Sequence, residues 1–102
     1  MGLLSNLFGR KDTPNFKALN EQGAVILDVR TAGEFRGGHI NKSKNISVQD
    51  LPGQLSKLDK NKIIITCCAS GMRSASAASI LKQAGFIAYN GGSWLSLKNK
   101  IS

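Results

Sequence analysis

The chain has 102 residues, 41% hydrophobic and 20% charged, a composition that fits one small globular domain and excludes a disordered, collagen-like or coiled-coil chain. A domain of this size buries only roughly 60–68% of its unfolded surface, which leaves little room for an elaborate cofactor cavity. Fourteen Lys and Arg against six Asp and Glu give a net charge of +8, but the basic residues are scattered and no aromatics interleave with them, which argues against nucleic-acid binding and for a solvated surface able to draw small anions.

Residues 1–12 read as a loose tail or a short packing helix, with the folded domain over 13–102. The apolar residues Leu3, Leu4, Leu7 and Phe8 make too short a stretch for a secretory signal and lack its basic flank and cleavage site. Asn6 stands where an N-myristoylation pattern wants Ser or Thr. No run approaches the ~20 apolar residues of a membrane span, so no stable membrane insertion is expected.

Thr13-Pro14 predicts a helix start, a capping hydroxyl followed by proline at the first helical position, with the helix running to about Gln22 and stopping at Gly23. The unbroken apolar run Ala24-Val25-Ile26-Leu27 predicts a strand covered on both faces. Thr31, with Glu34 three residues on, predicts a capping box and a short helix ending at Gly37-Gly38. Asn45 to Val48 is a weak strand. From Ser47 or Gln49 a polar helix is expected, with Leu51, Leu55 and Leu58 on one face and Pro52 early enough to be tolerated. Ile63-Ile64-Ile65-Thr66-Cys67 predicts the strongest strand. A helix over Ser74–Ala84 follows, with Ala77, Ala78, Ile80, Leu81 and Ala84 on its apolar face. Phe86 to Tyr89 predicts a last strand, and Gly91-Gly92 a turn into a final helix from Ser93 to about Lys100.

This alternation predicts an α/β domain with a central, mainly parallel sheet of four to five strands and helices on both faces. Ligands of such sheets bind beyond the carboxyl ends of the strands, here after Leu27, Cys67 and Tyr89. The segment after the strongest strand carries the one catalytic constellation: a cysteine, a Ser-Gly turn, an arginine and a helix. A thiolate is the reactive form, and a helix N-terminus lowers a thiol's pKa. Successive loop amides from Ala69, Ser70, Gly71, Met72 and Arg73 can cradle an anion. Gly71 admits backbone dihedrals closed to other residues. Arg73 either grips an oxyanion in a bidentate fashion or braces the loop from behind.

The two cysteines, Cys67 and Cys68, are adjacent, a poor geometry for a disulfide staple, so reduced thiols in the cytoplasm are expected. Two chemistries suit the loop, a persulfide on sulfur or a cysteinyl phosphate. Five residues separate Cys67 from Arg73, the spacing of tyrosine phosphatases, and four separate Cys68 from Arg73, the spacing of rhodaneses. Thr66 occupies the place where the phosphatase signature has histidine.

The stretch Leu27-Asp28-Val29-Arg30-Thr31 with Glu34-Phe35, Gly38-His39-Ile40, Ser43, Asn45 and Ile46 resembles the amino-terminal rhodanese signature. Cys68-Ala69-Ser70-Gly71-Met72-Arg73-Ser74 resembles the active-site loop of that family, and Ala84-Gly85-Phe86, Asn90-Gly91-Gly92 and Trp94 its carboxy-terminal signature. The resemblance spans roughly residues 20–98. It implies a single-domain sulfurtransferase without cofactor. Cys68 would take a sulfane sulfur from thiosulfate or a persulfide and pass it to cyanide or a thiol, with the amides of Ala69 to Arg73 holding the anionic sulfur. Small sulfur anions, persulfides or a sulfur-donor or acceptor protein are the expected partners. The alternatives are a phosphatase or arsenate reductase on the same loop, and a non-catalytic interaction module.

Ala69 stands where many thiosulfate-using members of that family carry a basic residue, and Met72 likewise adds no charge, so a persulfide or a protein partner is the expected donor. Cys67 is expected to be a core residue facing away from Cys68, since strand side chains alternate. Asp28 and Arg30 are expected to support neighbouring loops. His39 belongs with the fold signature, and Trp94 is expected to anchor packing. One histidine and two adjacent thiols lack metal-ligand spacing, so no metal site is expected.

Overall fold

A computed structural model describes residues 14–102. The tail of residues 1–12 and the proposed capping role of Thr13 lie outside the described residues. The first helix, α1 (Phe16–Glu21), is capped by Asn15, whose side chain accepts a hydrogen bond from the Ala18 N–H at 3.0 Å. The capping box on α2 (Ala32–Arg36) is present in both directions: Thr31 Oγ1 accepts from Glu34 N at 3.2 Å, and Glu34 Oε1 accepts from Thr31 N at 2.9 Å.

The sheet comprises β1 (Val25–Asp28), β2 (Lys44–Asn45), β3 (Ile64–Cys68) and β4 (Ala88–Ser93), in the order β2-β1-β3-β4. All pairings are parallel. The sheet has four strands, and β2 is only two residues long; beyond it Ile46 and Val48 pack against the core while their N–H groups donate to the Asp28 and Val29 carbonyls.

Helices cover both faces. On one, α3 (Met72–Gln83) buries Ala77, Ala78 and Leu81 against Leu27, Val29, Ile64 and Cys68. On the other, Phe16 of α1 and Leu97 of α4 (Trp94–Ile101) pack with Ile26, Ile65 and Cys67. Fully burying each such aliphatic side chain is worth about 1.5–3 kcal/mol.

Three elements differ from the sequence-based expectation. The helix expected from Ser47 or Gln49 is two short 3-10 turns, Leu51–Gly53 and Leu55–Lys57. Pro52 and Gly53 interrupt α-helical hydrogen bonding there, yet Leu51, Leu55 and Leu58 still reach one core cluster. Secondly, α3 begins two residues earlier than expected, at Met72, and Cys68 is the last residue of β3 rather than the first of the loop.

Thirdly, Gly91-Gly92 lies within β4 rather than in a turn, across a register shift between Thr66 and Cys68. A Cβ on Gly91 would stand 2.8 Å from the Thr66 carbonyl oxygen and 2.9 Å from Ile65 Cγ2, so the strand closes on β3 only with glycine there. Ser93 then caps α4, accepting from Ser96 N at 3.2 Å. Among the described residues no helix is long and apolar enough to cross a membrane.

Candidate active site

Cys68 ends β3 with its side chain fully buried on the α3 face of the sheet. The chain then makes a tight loop through the exposed Ala69 and Ser70 to Gly71, whose φ of +102° is a left-handed conformation that glycine adopts without strain. That turn brings the backbone around the sulfur. The Gly71 N–H donates to Cys68 Sγ at 2.9 Å and the Ser74 N–H at 3.3 Å. Gly71, the N-cap of α3, has no side chain to cap the helix. The sulfur takes that place, receiving the third-residue amide that a capping oxygen would ordinarily accept.

This geometry acts on the thiol's pKa. Burial alone pushes the Cys68 thiol's pKa up, but the Ser74 hydroxyl, the Ser74 and Gly71 amides and a weaker contribution from the Ser70 amide outweigh it, and the pKa lies below the ordinary value. The positive end of the twelve-residue α3 favours the anion further. Cys67 behaves oppositely. Its side chain packs on the other face of the sheet, and burial, reinforced by Asp28, pushes its pKa up to about 12. The Cys68 pKa is lowered by its hydrogen-bond partners, and its neighbour Cys67 is a core residue.

The loop residues expected to hold substrate divide by function. Gly71 supplies the closest amide, with Ser70 assisting, while the Ala69 side chain is exposed and Met72 is 79% exposed. Arg73 braces the loop and does not point an unpaired fork at the sulfur. Its NH1 and NH2 donate to Glu34 Oε1 and Oε2 at 2.8 and 3.0 Å, tying α3 to the capping box of α2. Of the two roles open to Arg73, bracing is the one present.

Glu34 responds to that pairing. The Arg73 guanidinium, then the Thr31 amide, hold its pKa at about 2, against an ordinary 4.5. A lowered carboxylate pKa means the ionised form is stabilised by folding, so the contribution is complete above pH 4.5 and is lost as pH falls towards 2. The expected result is a melting-temperature gap between the wild type and Glu34→Gln that is constant from neutral pH down to about 5 and closes in more acid solution. A gap unchanged at the acid end would contradict this pairing. The magnitude is small because both partners are over one-third exposed.

Asp28 and Arg30 lie beneath the loops and do not touch the sulfur. The Asp28 carboxylate accepts from the Arg30 backbone N–H at 3.0 Å, from Nε at 2.9 Å and from NH2 at 2.7 Å. Arg30 NH2 also donates to the Gly38 carbonyl at 2.7 Å, and the guanidinium lies 4.7 Å from the Trp94 ring centroid. Asn45 Nδ2 donates to the Asp28 and Arg30 carbonyls, both at 2.9 Å. His39 stacks on Phe35 with ring centroids 3.7 Å apart, and its Nδ1 lies 2.7 Å from the Phe35 carbonyl oxygen. It is a structural residue. Among the described residues no cluster of three or more His, Cys, Asp or Glu could hold a metal ion.

Sequence reasoning gave Ser74 and Asn90 no role at the sulfur. Ser74 is fully buried, with its hydroxyl 3.4 Å from Cys68 Sγ and 2.7 Å from Asn90 Oδ1. The detectable signal for Ser74 was its place at the third residue of a helix whose N-cap is glycine. For Asn90 it was its place directly after Tyr89, at the carboxyl end of the last expected strand and within the carboxy-terminal signature, but its contact with Ser74 exists only in the folded sheet. Beside the loop, a cavity of about 380 Å³ is lined by Val29, Thr31, Ile46, Val48, Asp50 and Arg73, among others.

Comparisons with known proteins agree with this architecture. The family described as the rhodanese-like domain matches residues 13–99. The thiosulfate sulfurtransferase GlpE of Pseudomonas savastanoi is 37% identical over 79 residues, 78% of this chain and 74% of that protein. A putative sulfurtransferase, YtwF of Bacillus subtilis, is 35% identical over 70 residues, 69% of this chain and 68% of that protein. The crystal structure of a rhodanese-like domain protein from Staphylococcus aureus superposes with a TM-score of 0.71 at 33% identity, covering 80% of each chain.

Proposed function

The chain belongs to the rhodanese-like domain family, and from that premise we propose that it is a sulfurtransferase working through a persulfide on Cys68. The Cys68 thiolate attacks the outer sulfur of thiosulfate or of a persulfide donor. A bond forms between the two sulfurs, the donor's own sulfur–sulfur bond breaks, and sulfite or a thiolate leaves with the electron pair. A thiophilic acceptor, cyanide or a thiol, then attacks the terminal sulfur and releases the Cys68 thiolate. No redox cofactor or metal enters this balance.

The observation that carries the reading is the pair of amides, Gly71 and Ser74, aimed at Cys68 Sγ. These donors are fixed before reaction and face the Cys68 thiolate that attacks the donor and that is released again after transfer, so little reorganisation is needed. Cys68 has no accessible surface, so the exposed Ala69-Ser70 segment must yield by about the width of a sulfur atom for a donor to arrive. The phosphatase reading gains nothing from this geometry, since Cys67, the residue at phosphatase spacing, packs on the far face.

Donor preference follows from charge. Ala69 and Met72 contribute none, and the Arg73 guanidinium is engaged by Glu34. A thiosulfate dianion therefore meets only amides and the helix terminus, which favours a persulfide donor over thiosulfate. The 380 Å³ cavity beside Arg73 offers room for the remainder of a donor or acceptor larger than thiosulfate. The two free thiols suit a reducing, cytoplasmic setting.

Intact mass spectrometry after incubation with thiosulfate and with a small-molecule persulfide tests the proposal. The expected result is the addition of one sulfur atom to the wild type, removed by cyanide with formation of thiocyanate, and absent from Cys68→Ser. Phosphate release from an aryl phosphate without any thiocyanate formation would favour the phosphatase instead.

A further inference from the structure

The groups that touch Cys68 Sγ are themselves held by one side chain from another strand. Asn90 of β4 sits opposite Thr66 in the sheet register, beside the mouth of the loop. Its Oδ1 accepts from the Ser74 hydroxyl at 2.7 Å and from the Gly92 N–H at 2.9 Å. Its Nδ2 donates to the Gly71 carbonyl at 3.3 Å. With a donor on one side of the carboxamide and an acceptor on the other, the orientation of Asn90 is fixed by its partners. Gly71 and Ser74 are the two residues whose amides face the sulfur. The Gly92 backbone also closes on Gly71, where an added Cβ would lie 3.5 Å from Gly92 Cα.

The Ser74 hydroxyl has one hydrogen and several acceptors within reach. These are Asn90 Oδ1 at 2.7 Å, the Gly71 carbonyl at 3.1 Å, Cys68 Sγ at 3.4 Å and the Gly92 carbonyl at 3.5 Å. When Cys68 is a thiol, S–H donates to Ser74 Oγ and the hydroxyl donates to Asn90. When the sulfur is an anion its donors are the Gly71 and Ser74 backbone N–H groups, and the hydroxyl stays on Asn90 Oδ1, so that it anchors Ser74. Serine near a helix start otherwise turns its hydroxyl to a nearby helix carbonyl. Asn90 keeps Ser74 Oγ on the sulfur side.

We propose that Asn90 is a positioning residue of the sulfur-transfer site, fixing Ser74 through its hydroxyl and Gly71 through its carbonyl so that the backbone N–H groups of both residues face the anionic form of Cys68. The proposal rests on the persulfide reading for its purpose, but its test is read on the thiol itself. The titratable groups around that thiol are Cys67 on β3, Arg73 on α3 paired with Glu34 on α2, and Asp28 on β1 paired with Arg30. Tyr89 of β4 packs on the opposite face of the sheet. None of these contacts runs through Asn90.

The experiment is the pH dependence of Cys68 alkylation by iodoacetamide in a Cys67→Ser background, for Asn90→Ala, Asn90→Asp, Ser74→Ala and the Asn90→Ala/Ser74→Ala pair. Losing a hydrogen bond to the charged form raises a thiol's midpoint. We expect a rise of about one pH unit for Asn90→Ala, seen as a rate about tenfold lower at acid and neutral pH with the alkaline plateau unchanged. Asn90→Asp keeps the shape and the Oδ1 contacts but sets a carboxylate oxygen against the Gly71 carbonyl, so its midpoint should rise further.

In the Ser74→Ala background most of the Asn90→Ala effect should vanish, because the two residues act on the sulfur as one unit. Asn90 is exposed on its outer side, so its loss leaves no core cavity. A residue that merely stabilised the loop would, when removed, speed alkylation at every pH by exposing the sulfur. That result, or an unshifted midpoint, overturns the proposal. Absence of a sulfur adduct on the wild type would instead overturn the persulfide reading and leave the alkylation profiles standing.

Discussion

Replacing Cys68 by serine should reduce sulfur transfer by at least about a thousandfold, because the step that forms the persulfide loses its nucleophile. A serine hydroxyl in the same cradle cannot substitute. It is not ionised near neutral pH, and the bond it would form to sulfur is not the one the acceptor needs to break. Cys67→Ser should keep most of the activity, since the Cys67 thiol packs on the opposite face and its pKa is pushed up to about 12. The measurement is steady-state thiocyanate formation from thiosulfate and from a persulfide donor, with folding checked by circular dichroism. Equal losses in the two variants would mean that the fold rather than the nucleophile had been damaged, and a reversed order would assign the chemistry to Cys67.

Arg30→Ala is expected to cost about 3–5 kcal/mol, the range for removing one partner of a buried ion pair. Asp28 has no exposed surface, and the Arg30 side chain is only 6% exposed. Without the guanidinium, a buried carboxylate keeps a single backbone donor, the Arg30 N–H. The Gly38 carbonyl and the face of Trp94 lose their partner as well. Against a total stability of about 5–15 kcal/mol for a domain, that loss leaves a small margin or none. Urea denaturation gives the value directly. Arg30→Lys should recover only part of it, because an ammonium cannot form the forked contact. A loss below about 1 kcal/mol would show that Asp28 finds water or another donor when Arg30 is gone.

Both expectations start from residues singled out in the sequence, but they differ in how much of the reason was visible there. The loop from Cys68 to Arg73 is contiguous, and its spacing pointed to Cys68 together with Thr66 in the place of the phosphatase histidine and the flanking signatures. The alternation of strand side chains was enough to send Cys67 to the other face. The capping box of Thr31 and Glu34 and the apolar face of α3 are likewise local patterns, and both are present.

What the sequence left open were partners distant along the chain. Arg73 could have gripped substrate or braced the loop, and Glu34, 39 residues away, decides for bracing. Leu51, Leu55 and Leu58 have helical spacing, but Pro52 and Gly53 break the element into 3-10 turns that the core still accepts. Gly91-Gly92 has the composition of a turn, and the close approach of β4 to β3 makes it strand.

By itself, then, the sequence determined the α/β class, the parallel arrangement and the family, through local periodicity and ordered motifs along the chain. The tertiary structure alone decided the thiol's electrostatics. Gly71 and Ser74 carry the amides that reach the sulfur, and Asn90 and Gly92 of β4 meet those two residues only when β3 and β4 pair. Hydrogen-bond geometry across strands depends on register and on the glycine that permits close approach, and neither is encoded in local periodicity.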